Sequence, residues 1–204
     1  KAMAPGFLSP GVDGKGKFDA FSASGADHWY SMSSHRARAI NNEVAQSTFN
    51  PGWLRSVGPG WIAWSLESFI DEIAHKQGKD PVQFRIEMLD GKGKQAGKAP
   101  ESVGGALRLR NVLKTVSDKV ASVKLAKDEG IGFSVSSGQE RTTPAWLATA
   151  AHVHVNRDSG KITLKKLYVV VDAGLIVHPD GALAQIEGSL LWGSSLALHE
   201  SNTY

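Results

Sequence analysis

Cysteine is missing from all 204 residues, and its absence removes several kinds of chemistry at once. A chain without thiols forms no disulfide, offers no thiolate nucleophile, and holds neither cysteine-ligated zinc nor an iron–sulfur cluster by itself. Its compartment cannot be read from cysteine usage either. A charge excess of either sign is also lacking, since 23 Lys and Arg against 20 Asp and Glu leave only +3. The lysines in 1–17 and 92–98 sit among glycines without interleaved aromatics, so no nucleic-acid groove is expected. No run approaches the roughly 18 apolar residues of a membrane-crossing helix. The opening Lys-Ala-Met-Ala-Pro-Gly lacks the apolar centre of a signal peptide. What is present, 41% hydrophobic and 21% charged residues, suffices for a globular core.

The most informative stretch is Pro51-Gly-Trp-Leu-Arg-Ser-Val-Gly-Pro-Gly-Trp61. Pro51, Gly52, Gly58 and Gly60 flank a single arginine, Arg55, in a shaped loop. Ile62, Leu66, Phe69, Ile70 and Ile73 then form one apolar stripe, predicting a helix from about Pro59 to Gln77. Glu67, Asp71, Glu72 and Lys76 fall on its other face, with Gly78 at the C′ position. A glycine-rich loop entering a helix directs backbone N–H groups and partial positive charge at one spot. With the planar fork of Arg55, that spot suits an anion or an oxygen-rich ligand. The competing reading is a buried arginine that only ties two loops together.

Taken in order, residues 1–26 read as loop, an irregular opening that suggests a start inside something larger. Arg36 to Thr48 reads as an edge strand or an irregular crossing. Asp80-Pro81 is an N-cap with proline at N1, opening a helix to about Leu89. Asp90 to Gly105 is a Gly/Lys/Ala/Pro/Ser linker. A third helix carries Leu109, Val112, Leu113, Val116 and Val120 on one side. Gly130 to Val135 reads as a buried strand. Trp146 to Val155 alternates, with Leu147, Thr149, Ala151, Val153 and Val155 on one face. Asn156 to Gly160 is a hairpin turn. Ile162 to Asp172 returns, and Leu167 to Val171, apolar on both sides, predicts a central strand. His178-Pro179-Asp180 starts a last helix with Leu183, Ile186, Leu190 and Ala197 on its buried side.

Several constellations admit two readings. His152 and His154 share one face of a strand at a spacing that can chelate zinc, the basis of a zinc-hydrolase alternative. With no third ligand in view, two polar-face histidines of an antiparallel strand account for them better. Gln139-Glu140-Arg141 with Thr142 and Thr143 either lines a pocket or simply turns the chain, and Glu140 is a possible general base without a partner beside it. Ser194-Ser195 lies within a helical pattern, not a nucleophile elbow. Gln185, one turn into the last helix, either meets a ligand at its positive end or bonds a loop carbonyl.

Two separated groups of residues carry a family resemblance. Leu54-Arg-Ser-Val-Gly58, Glu67-Ser-Phe-Ile-Asp-Glu72 and Asp80-Pro-Val-Gln-Phe-Arg85 form the first. Ser137-Gly-Gln-Glu-Arg141 to Trp146, Val171-Asp-Ala-Gly174 and His178-Pro-Asp-Gly-Ala-Leu-Ala-Gln-Ile-Glu-Gly188 form the second. Together they resemble the molybdenum-cofactor subunits of the xanthine dehydrogenase and aldehyde oxidase family. The isoquinoline 1-oxidoreductase-like branch, which includes membrane-bound aldehyde dehydrogenases of acetic acid bacteria, is the nearest. Asp27-His-Trp-Tyr30 and His35-Arg-Ala-Arg-Ala39 also fit that branch.

The resemblance implies an α+β (mixed) fold built from parts of two cofactor-binding lobes. Residues 1–105 would end the first lobe and 106–204 begin the second. It implies that Arg55, with Ser56 and Val57, and Gln185 bind a molybdopterin carrying molybdenum, in a cytosine dinucleotide form. Trp53, Thr142, Ala145 and Trp146 would line the pocket for a small aldehyde. The family's reaction is hydroxylation with water as oxygen source, which here implies oxidation of an aldehyde to a carboxylic acid. Electrons would pass to an iron–sulfur small subunit and a haem-bearing, cytochrome c-type membrane subunit, on the periplasmic face of a bacterial cytoplasmic membrane. Missing are the family's Gly-Gly-Phe-Gly and Gly-Gln-Gly segments and the glutamate that serves as general base. The expectation is therefore a slice of a catalytic subunit, completed by the rest of that subunit and inactive alone. The alternative is a non-catalytic assembly or binding domain of the same fold.

Overall fold

The computed structural model describes residues 8–10, 17–19, 25–26, 28–38, 40, 42–48, 54–92, 105–138 and 145–201. Strands β1 (Leu8–Pro10) and β2 (Lys17–Asp19) pair antiparallel within a stretch expected to be loop. Helix α1 (Glu43–Thr48) replaces the strand or crossing expected at Arg36 to Thr48. Helix α2 (Val57–Lys76) begins two residues before the expected start, and Gly78 stands at φ 64° just past its C-cap. Helix α3 (Pro81–Met88) opens as its sequence predicts, the Asp80 carboxylate accepting from the Gln83 N–H at 2.8 Å. The linker expected from Asp90 to Gly105 lies mostly outside the described residues.

Helix α4 (Gly105–Val120) buries the whole predicted stripe, Leu109, Val112, Leu113, Val116 and Val120. It packs on a three-stranded antiparallel sheet of β3 (Glu129–Ser137), β4 (Trp146–Val155) and β5 (Ile162–Asp172), in that order. Two expectations are corrected in this sheet. The central strand is β4, and β5 is an edge among the described residues, its apolar Leu167 to Val171 only half-buried. The core-facing side of β4 is Trp146, Ala148, Ala150 and His152, not the side of Leu147 and Val153. Packing accounts for the inversion, because small Ala148 and Ala150 let α4 approach closely. At the start of α4, a Cβ on Gly105 would sit 2.3 Å from the Trp29 ring and 2.7 Å from Trp146. Only glycine fits there. The two indoles meet edge to face, 4.8 Å apart.

Ile70, Ala74, Val82, Phe84 and Leu89 join the α4 and sheet residues in one core, so the packing crosses residue 105. Helices gathered against an antiparallel sheet make this an α+β fold. Helix α5 (Pro179–Leu198) departs from expectation: Leu183 and Ala197 are exposed, Ile186 and Leu190 are half-buried, and none of its residues is fully buried.

Candidate functional site

The predicted loop before α2 is a strained turn. Ser56 and Val57 stand at φ 78° and 46°, the left-handed region, which a β-branched valine rarely enters. Such residues cost on the order of 1–3 kcal/mol each and persist where surrounding structure enforces them. The Val57 N–H closes the turn on the Leu54 carbonyl at 3.0 Å. At the fourth residue of the helix, a Cβ on Gly60 would lie 2.3 Å from Ser56 Oγ, so this glycine makes room for the serine. Ser56 makes no side-chain cap bond, leaving the opening of α2 uncapped by its side chain.

Arg55 is exposed, which removes the reading of a buried tie between loops. Its guanidinium lies over the ring of Trp192 in α5, 5.2 Å from the centroid. Gln185, also exposed, stands seven residues before Trp192. Seven residues are two helical turns, placing both on one face about 10 Å apart along the axis. The structure thus brings the Arg55 turn and the Gln185 helix to the same side. Helix α5 starts as predicted, with Pro179 at N1 and His178 Nδ1 accepting from the Gly181 N–H at 2.7 Å.

The substrate-side residues divide differently. Trp53 and Thr142 lie outside the described residues, as do Gln139 to Arg141 and Thr143. Ala145 is half-buried and its carbonyl accepts from the Gly138 N–H at 2.7 Å, closing the base of the β3–β4 connection. Trp146 is fully buried in the core, with Arg108 5.7 Å over its ring. Arg108 in turn grips Asp172 through two bonds, 2.7 and 2.5 Å. The Asp-Ala-Gly174 segment of the sequence is therefore tied to α4.

Pattern reasoning missed the buried charge cluster that holds α2. Glu67, expected on the solvent face, is 6% exposed. Its carboxylate accepts from Tyr30 Oη at 2.7 Å, Arg85 Nε at 2.9 Å and the Val135 N–H at 3.0 Å. Arg85, fully buried, also donates to the Glu67 and Pro81 carbonyls and to Asp71 Oδ1 at 2.6 Å. Burial pushes the Glu67 carboxyl up, against the lowering pull of Arg85, Tyr30 and Val135. Burial works against the Arg85 charge, but Glu67, Tyr30 and Asp71 outweigh it and raise its pKa. One signal was available: Arg85 lies between Phe84 and Ile86 on a short helix, where an inward guanidinium demands a carboxylate.

At the far end of the sheet, His152 Nε2 meets Glu129 Oε2 at 2.9 Å, and Lys165 pairs with the other Glu129 oxygen. His152 is thus on the core face, not a polar one. Among the described residues no group of three or more His, Cys, Asp or Glu is placed to hold a metal ion. The zinc alternative finds no support in that region.

Residues 83–204, more than half the chain, match the model of a family described as the molybdopterin cofactor-binding domain. The chain belongs to this family. Arg55 precedes the matched span; Gln185 and Trp192 lie inside it. A membrane-bound aldehyde dehydrogenase of Gluconacetobacter polyoxogenes, whose name carries pyrroloquinoline-quinone, is 50% identical over 201 residues. That comparison covers 98% of this chain and 26% of the relative. The beta chain of the isoquinoline 1-oxidoreductase of Brevundimonas diminuta is 28% identical, covering 72% of this chain and 17% of that protein. One component of the nicotinate dehydrogenase of Pseudomonas putida is 27% identical, covering 74% and 13%. The chain therefore spans about a quarter, or less, of the length of these curated relatives. The resemblance to the molybdenum-cofactor subunits of the xanthine dehydrogenase family is borne out. Among the described residues, no helix is long and apolar enough to cross a membrane.

The donors at this site fit a molybdopterin. Its phosphate suits an exposed five-donor fork beside a helix N-terminus, and its pterin edge suits a carboxamide that both donates and accepts.

Proposed function

We propose that this chain is part of the catalytic subunit of a molybdopterin-dependent oxidoreductase that converts a small aldehyde to its carboxylic acid. The observation that carries this reading is the meeting of Arg55 with α5. An arginine outside the family-matched span rests on the last helix of that span. Support for the substrate comes from the 50%-identical relative, which is named an aldehyde dehydrogenase. Arg55 would bind the cofactor's anionic end, with the backbone of Ser56 and Val57 fixing its approach and Gln185 bonding the pterin. Ala145 would border the aldehyde together with Trp53 and Thr142, while Trp146 props the wall from beneath. The cofactor, when bound, supplies the two-electron chemistry. The substrate carbon gains one oxygen from water, and two electrons and two protons leave.

The finer features belong to the same reading. The cofactor is the cytosine dinucleotide form, and the electrons go to an iron–sulfur subunit and then to a cytochrome c-type haem subunit at the periplasmic face of the membrane. One cofactor-binding lobe of the catalytic subunit ends and the next begins near residue 105, the two meeting through the core that Ile70 and Leu89 share with Leu113. Its remainder supplies the general base and covers α5, whose Leu183, Leu191 and Leu196 are exposed. A second reading follows from the name of the same relative, in which a quinone cofactor takes the place of molybdopterin. Metal analysis and cofactor chromatography of the purified full-length complex separate the two. Molybdenum and pterin in equal amounts with aldehyde turnover uphold the proposal. A quinone without molybdenum establishes the second reading, and neither cofactor leaves a non-catalytic assembly domain.

A further inference from the structure

We infer that Trp192 is a positioning residue for Arg55, its indole face holding the guanidinium in place to receive the cofactor. This inference rests on the reading of Arg55 as a cofactor-binding residue. An exposed arginine side chain has several free torsions and much rotamer entropy to lose, so an anion site built on it is poorly organised unless something holds the fork. The described structure offers one holder. The guanidinium carbon stands 5.2 Å from the Trp192 centroid, within the range of a cation–π contact. Trp192 is 37% exposed while its neighbour Leu191 is 72% exposed, so the indole is the more covered of the two. A guanidinium held by its face keeps its N–H edges for an anion. It also couples two segments that each bear a proposed cofactor contact: the strained turn at Ser56 and Val57, and the helix face that carries Gln185 two turns earlier. Tryptophan is the aromatic best suited to the task, because its ring offers the strongest face to a cation.

The test uses the full-length protein in its complex and follows release of the pterin on dilution, a readout independent of turnover. Trp192→Leu should release cofactor about twofold to fivefold faster, a range set by the strength of an exposed cation–π pair. Trp192→Phe, which keeps a weaker aromatic face, should fall between. In an Arg55→Gln background, which already releases cofactor faster, Trp192→Leu should add nothing. Thermal melting of Trp192→Phe at the wild-type temperature checks that the fold is kept. Release at the wild-type rate from Trp192→Leu, with Arg55→Gln still deficient, overturns the positioning role and leaves the Arg55 reading standing. The same follows if Trp192→Leu is equally harmful with and without Arg55, which marks a packing role alone. Wild-type retention by Arg55→Gln overturns the Arg55 reading itself, and this inference with it.

Discussion

Helix α4 buries seven of its 16 residues, whereas α5, 20 residues long, buries none. The two sequences differ in a way that explains the contrast. In α4 the apolar residues other than the exposed Leu107 form one stripe, and Arg108, Arg110, Lys114 and Asp118 occupy the rest, so a single sheet face satisfies it. In α5 apolar residues go around the helix: Leu183, Ile186, Leu190, Leu191, Trp192, Leu196 and Leu198. A helix apolar on all sides is suited to being surrounded, and the described residues provide α5 with little more than the Arg55 contact. One region of the molecule is self-sufficient; the other is built to be enclosed.

The sharpest way to break the self-sufficient region is at its charge. Arg85→Ala leaves the Glu67 carboxylate buried without its cation and cuts the polar link between α2 and α3. Losing one partner of a buried pair costs roughly 3–5 kcal/mol. Urea denaturation should report that loss, and a cost under about 1 kcal/mol would mean that α2 is held by packing alone. Leu113→Ala comes next. Leu113 is fully buried at the centre of α4, so its truncation should cost about 2–5 kcal/mol through lost transfer energy and a cavity. An unchanged denaturation midpoint would refute the assignment of α4 to the core.

What the sequence disclosed follows from the same contrast. Stripes and caps were legible because they are local: the α4 stripe, the Asp80 cap, and both ends of β4 and β5 agree with the structure. Glu67 was misplaced because the α2 stripe was centred on Ile62, Leu66 and Phe69. The true inward line is Glu67, Ile70 and Ala74, and what turns it is an arginine 18 residues away. The face of β4 was misjudged because two alanines look less core-like than leucine and valine until a helix must fit against them. At the site, Arg55 and Gln185 were singled out by sequence. The aromatic that joins their two segments was not, because a tryptophan in an apolar helix gives no sign of which loop will meet it.

A pH profile sharpens the comparison at the open end of the sheet, with a smaller effect. Lys165, the Ala126 N–H and His152 hold the Glu129 carboxyl down, from its ordinary 4.5 to about 2. A carboxyl whose pKa falls on folding adds stability above the unfolded value and loses it as pH drops through the folded one. The contribution is therefore present above about 4.5 and disappears as pH falls towards about 2. Glu129→Gln should be less stable than wild type at pH 6 and flatter between pH 5 and 2.5. Parallel melting curves across that range would remove Glu129 from the acid response.

The smallest expected effect tests α5 directly. Leu191 is 72% exposed, so in chain 1–204 alone Leu191→Ala should change stability by no more than about 0.5 kcal/mol, as surface substitutions do. In the full-length protein the same substitution should cost about 2–5 kcal/mol, because a leucine enclosed on all sides leaves a cavity when truncated. The comparison between α4 and α5 then becomes a difference between two measurements on one residue. Leu113→Ala, satisfied within this chain, should cost nearly the same in both settings. If Leu191→Ala is neutral in the full-length protein as well, α5 is a surface helix. The covering role proposed for the rest of the catalytic subunit then fails, while the Arg55 site is left to its own tests.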